Sequence, residues 1–244
     1  MTALVRAELL RLRSTRSTWG LLAAALVLTL AFAGMVLGDV GGMGGLPPGS
    51  VRLRDALLGA AALGTVPVVL LGVLSITTEF HHRTATFTFL ATPQRWRVLV
   101  AKTIACLLVA PPVAVLLLTA PLTLGALSGA IDLTLDPDLA RLVARAALGF
   151  ECWVLLGVGI GAAIRNQTIA VAVPLIWFGV IEQLLQSYGT SRLLPWLPGG
   201  ASAALSGARF PGVLPIWAAL LVFLAYVAAL LAPGARAISR RDIT

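Results

Sequence analysis

Six long apolar runs govern what this chain can fold into. They cover residues 19–37, 57–77, 103–127, 146–164, 169–185 and 213–232, and charged residues are almost confined to the flanks between them. Each run approaches the ~20 residues that carry a helix across the hydrocarbon core of a bilayer. In hydrocarbon, backbone N–H and C=O groups must be satisfied internally, and for one continuous run the α-helix does this. Of 244 residues, 59% are hydrophobic and 11% charged, with a mean hydropathy of +0.96. A soluble domain carries about 25% charged residues. The expected fold is an all-α polytopic membrane protein with six transmembrane helices. The first run follows several arginines, as the core of a secretory leader would, but it exceeds the 7–15 residues of such a core. It reads as a span.

The net charge of +8 and pI ≈ 11.2 would suggest nucleic-acid binding in a soluble chain. Here the basic residues sit in short flanks, where the positive-inside bias accounts for them and no nucleic acid is implied. Arg6, Arg11, Arg13, Arg16, Arg83, Arg95, Arg97, Lys102, Arg165, Arg236, Arg240 and Arg241 fall on one side, twelve in all. Arg52, Arg54, Arg141, Arg145, Arg192 and Arg209 fall on the other. Both termini are therefore expected in the cytosol. The organisation that follows is an interfacial helix over 1–18, a six-span domain over 19–232 and a cytosolic tail over 233–244. Within the domain, 78–102 is a cytosolic loop and 186–212 an outer segment.

Val5, Leu9 and Leu12 recur on one helical face before the first span, with Arg6 and Arg13 a turn away. This pattern suits an amphipathic helix on the cytosolic surface, although Glu8 and Arg16 interrupt it. The competing reading is a solvated basic tail. Outside, residues 38–56 are rich in Gly and Pro and read as an irregular loop. Asp136-Pro137-Asp138 marks a turn or a helix start. Residues 186–212 hold Pro195, Pro198 and Pro211 yet are half apolar. They either dip back into the outer leaflet under a cover of protein or form an ordinary capped loop. Pro67, Pro111, Pro112, Pro121 and Pro174 lie within spans and are expected to kink them.

The sequence offers no catalytic centre. It has neither a phosphate-binding Gly-rich loop nor a Ser-centred nucleophile elbow. His81 and His82 are adjacent and point to different helix faces. Cys106 and Cys152 lie in apolar runs without zinc spacing. No cofactor or metal is assigned to this chain. Two carboxyl groups do lie inside spans, Glu151 and Glu182, each thirteen residues from the cytosolic turn that joins spans four and five. At ~1.5 Å per residue this puts both roughly 20 Å from that turn, at one level of the outer leaflet. Intramembrane carboxyls usually face a bundle interior or a wet cavity. These two either reach water at the interface, line a polar vestibule, or bond the backbone of the outer segment.

Residues 79–102, Glu-Phe-His-His-Arg-Thr-Ala-Thr-Phe-Thr-Phe-Leu-Ala-Thr-Pro-Gln-Arg-Trp-Arg-Val-Leu-Val-Ala-Lys, resemble the first cytosolic loop of type-2 ABC transporter permeases. Glu79, Thr84, Leu90, Pro93, Arg95 and Lys102 match that pattern, and Arg83 stands where it has Gly. Gly161-Ala-Ala-Ile-Arg-Asn-Gln-Thr168, with Arg165, Asn166 and Gln167 at its centre, is similar to the turn between spans four and five of actinobacterial-type members. Leu194-Pro-Trp-Leu-Pro-Gly-Gly-Ala-Ser-Ala-Ala204 is similar to their outer segment before the last span. The resemblance implies a bacterial plasma-membrane export subunit, working as a homodimer with separate ATPase subunits that bind ATP and Mg. It implies an amphiphilic cargo such as a drug, antibiotic or lipid.

By the same resemblance, Glu79, His82, Arg83, Thr84, Phe87, Phe89, Thr92, Pro93 and Arg95 form the ATPase-coupling surface. Thr92 is a good N-cap and Pro93 suits a first helical turn. The expectation is a largely helical Phe80–Ala91, then a second helix running from Pro93 into span three. The alternatives are a solvated basic loop here, and for the whole chain an ion-driven secondary transporter or a non-transporting scaffold or immunity protein.

Overall fold

A computed structural model describes residues 1–42, 45–81, 95–132, 137–164, 166–187, 193–206 and 212–240. The protein is all-helical, with no strand among the described residues. The helices are α1 (Thr2–Ser14), α2 (Arg16–Gly38), α3 (Val51–Gly59), α4 (Thr65–His81), α5 (Arg95–Leu127), α6 (Pro137–Ala163), α7 (Gln167–Ile176), α8 (Glu182–Ser187), α9 (Pro198–Leu205) and α10 (Ile216–Arg240). Among the described residues, five segments are long and apolar enough to cross a membrane: Arg16–Gly38, Val51–Thr78, Trp96–Leu127, Pro137–Ala163 and Gln167–Leu185. These dimensions fit a multi-pass membrane protein. The apolar part of α10, Ile216–Ala232, is shorter, about 25 Å of helix at ~1.5 Å per residue.

α6 is the central helix. Nearly every residue from Gly149 to Ala162 is buried, and it packs against α4, α5 and α10. Small residues permit this. A Cβ on Gly72 would strike the Val154 carbonyl, and one on Gly157 would strike the Val69 carbonyl. Gly161 lies as tightly against Val73 and Ile76, and Gly159 faces Leu230 of α10. Backbones that approach this closely are the small-residue mode of helix association in membranes. By contrast, α2 buries only the stripe Thr18, Ala25, Thr29 and Ala33. Val27, Leu28, Phe32 and Met35 of α2 are exposed, as are Ile169, Val173, Leu175 and Ile176 of α7.

Three local expectations change. Residues 51–59 form a helix, where 51–56 were expected in an irregular loop and 57–59 in the second span. Ser50 Oγ caps it by accepting from Leu53 N at 3.2 Å, and Leu53 and Leu57, one turn apart, are fully buried. Pro67 makes no internal break. α4 starts at Thr65, so the proline occupies the first turn, where its missing N–H costs nothing. The discontinuity in the second span is instead the 3₁₀ turn Ala60–Gly64. α5 continues as one helix of 33 residues through Pro111, Pro112 and Pro121. Only Pro174 is followed by an irregularity, the π-helical turn Trp177–Ile181. Helix limits also extend the expected spans: α6 begins at Pro137 with Asp138 in its first turn, and α10 continues into the C-terminal tail.

Candidate functional site

One part of the bundle holds a hooked segment. Between α8 and α10 the chain forms a short 3₁₀ turn, Leu194–Trp196, and then α9. Pro198 opens α9 at its first position, where its fixed φ suits the helix. The N-cap residue is Leu197, which has no side chain able to cap. The first-turn N–H groups therefore need an acceptor from elsewhere. Glu182 supplies it. The π turn of the fifth span ends at Glu182, which is 4% exposed. Its Oε1 accepts from Gly199 N at 2.8 Å. Neighbouring backbone requires glycine at Gly200, whereas at Gly199 an added Cβ would meet only the tip of the Glu182 side chain. A Cβ at Gly199 would collide with the Glu182 carboxyl, and one at Gly200 with the Leu194 carbonyl.

Three further side chains hold the segment. Trp153 Nε1 of α6 donates to Ser202 Oγ at 2.8 Å. Tyr226 of α10 donates its hydroxyl to the Trp196 carbonyl at 3.2 Å. Arg145 Nη2 of α6 donates to the Ala204 carbonyl at 3.4 Å. The Trp153 ring meets Phe178 and Phe223 edge-on, at 4.5 and 5.2 Å between centroids. Pro195, Pro198, Ala201, Ala204 and Leu205 are buried. Of the readings open for the two acids, Glu182 bonds the backbone of the outer segment. Glu151 differs: its Oε2 is buried without a hydrogen-bond partner among the described residues.

The opposite end holds a charged joint. Arg11 Nε of α1 donates to Glu8 Oε2 at 2.9 Å, and Lys102 Nζ of α5 donates to Glu8 Oε1 at 2.9 Å. Arg11 Nη2 also donates to the Ser75 carbonyl of α4 at 2.6 Å. Leu12 is buried and Leu9 packs against the same apolar cluster, so the apolar stripe on α1 does face the bundle, and Arg6 and Arg13 are exposed. Glu8, an apparent blemish on that stripe, is where the contact with α5 is made.

The remaining expected positions are placed as follows. Asn166 is the N-cap of α7, its Oδ1 accepting from Ile169 N at 3.2 Å. Gln167 opens that helix, with Oε1 buried and unpartnered among the described residues. Glu79 closes on the end of α4 and Arg95 opens α5. His82, Arg83, Thr84, Phe87, Phe89, Thr92, Pro93 and Arg165 lie outside the described residues, and with them most of the two-piece elbow. Sequence reasoning did not single out Trp153, Ser202, Tyr226 or Arg145. A signal existed for Trp153, since an indole N–H in an apolar run needs an acceptor. No family model matches the chain, and no curated protein matches it.

Proposed function

We propose that this chain is the membrane permease subunit of an ATP-driven exporter of the type-2 ABC class. In this reading α10 is a sixth span, α1 lies on the cytosolic face, and two copies enclose one pathway. A separate ATPase subunit binds ATP and Mg against residues 79–95, and its closure drives the spans. The cargo is an amphiphile such as a drug, antibiotic or lipid, because the spans offer a largely apolar interior with few charges. The membrane is the bacterial plasma membrane, with both termini in the cytosol.

The observation that carries the reading is the hooked segment 194–205. It stands between the fifth and last apolar helices, where the resemblance puts the outer segment before the last span. Ser202 meets α6 at Trp153, roughly 24 Å from Pro137 at ~1.5 Å per residue. With Pro137 at the outer surface, α9 enters the bilayer and closes the outer end of the pathway. Affinity purification of the full chain from its native membrane tests the partnership. An ABC ATPase should co-purify in equal amount, and its recovery should fall when Phe87 and Phe89 are both replaced by Ala. The unpartnered Glu151 oxygen favours one other reading, a proton-coupled carrier. Substrate flux that persists without ATP would support that reading against the permease.

A further inference from the structure

One helix grips both ends of the polar segment that separates the second and third spans. α4 runs into that segment at His81 and α5 leaves it at Arg95. Near the end of α4, the Ser75 carbonyl accepts from Arg11. Two turns into α5, Lys102 donates to Glu8. Glu8 and Arg11 lie one turn apart on α1 and bond each other, which sets both side chains for their distant partners. One carboxylate thus joins the guanidinium that holds α4 to the ammonium that comes from α5.

Burial makes the joint stiff. Lys102 is 3% exposed and the Glu8 side chain 12%. An ammonium removed from water is costly unless paired, so parting α1 from α5 would take the Glu8 carboxylate away from the buried Lys102. Leu12 and Leu9 add apolar contact with the cluster that holds Leu99 of α5 and Leu71 of α4. The helix is therefore fastened to both flanks by polar and apolar contacts together.

We propose that α1 is a brace: Glu8, by linking Lys102 to Arg11, locks α1 to α4 and α5 so that the flanks of residues 82–94 move as one body. Glu8 and Lys102 are positioning residues, and a push on the segment reaches two spans at once. The consequence for transport rests on the permease reading, whereas the brace itself does not.

The test uses the full chain in lipid nanodiscs and measures backbone amide exchange of residues 2–14. Glu8→Gln and Lys102→Met should each speed exchange about tenfold or more, with Arg13→Gln, an exposed position on the same helix, near wild type. The double variant should exceed the faster single variant by less than about twofold, because both remove one link, and Lys102→Arg should stay within about threefold of wild type. Unchanged exchange in Glu8→Gln, or single effects that multiply in the double, would overturn the brace. Should Lys102→Met fail to accumulate, the isosteric Glu8→Gln alone decides. In vesicles with the ATPase, Glu8→Gln should hydrolyse ATP at a wild-type rate while moving several-fold less substrate per ATP. An unchanged ratio despite faster exchange would refute the brace's part in coupling. Absence of ATP-driven flux in the wild type would instead refute the permease reading and leave the exchange result to judge the brace.

Discussion

Replacing Glu182 by Ala removes the acceptor that completes the N-terminus of α9. The Gly199 N–H, 2.8 Å from the carboxyl, loses its partner in a largely buried site. A buried donor left unsatisfied costs about 1–3 kcal/mol, and loss of a helix cap by itself typically costs about 1 kcal/mol. These overlap, so the expected loss is about 1–3 kcal/mol rather than their sum. For a chain of this size that corresponds to roughly 2–12 °C in apparent melting temperature. Glu182→Gln retains an acceptor oxygen and should lose less than half as much. Gly199→Ala forces a methyl into the carboxyl and should cost about 1–3 kcal/mol through overpacking. In Glu182→Ala/Gly199→Ala that methyl enters the vacated space, so the double variant should be more stable than the summed singles by at least about 1 kcal/mol. Thermal unfolding of the four purified proteins in one detergent reads the cycle. A shift below about 2 °C for Glu182→Ala, or strict additivity of the pair, would refute the hook.

Three further outcomes follow from the same geometry. Gly157→Val should abolish stable accumulation, since it presses a branched side chain onto the Val69 backbone and exceeds the usual overpacking cost of about 1–3 kcal/mol; a wild-type yield and melting temperature would contradict it. In a background lacking Cys106 and Cys152, cysteines at Gly45, Ser128 and Ser206 should react with an impermeant thiol reagent from outside, and one at Ala91 should not. Reversed labelling would invert the proposed topology. Glu151→Gln should change transport several-fold while leaving abundance within about twofold, because its orphaned oxygen supports no contact that folding needs; equal losses of both would assign it a structural role.

Much of the helical plan is written in the apolar runs, because in lipid a run of that length has to be helical. The departures come from contacts that act across long sequence distances. Arg52, Arg54 and Asp55 make residues 51–56 look like loop, and the Ser50 cap with the burial of Leu53 and Leu57 against the neighbouring helices makes them a helix. The spacing of Glu182 brought it level with the outer segment, but its partner is the backbone N–H of Gly199, which leaves no periodic mark. Glu8 looked like an interruption because its partner Lys102 lies 94 residues away. The π turn that sets the position of Glu182 follows Pro174, and proline alone does not say whether a helix will kink, bulge or run on, as α5 does past three of them.

The permease reading is tested most directly by substrate flux in sealed vesicles holding this chain and the ABC ATPase that co-purifies with it. The account predicts accumulation of an amphiphilic fluorescent cargo on the side opposite the ATPase, dependent on ATP and Mg and abolished when the ATPase is inactive. It also predicts two copies of this chain in each active complex. Flux that continues without ATP, or full activity from a complex with a single copy, would contradict it.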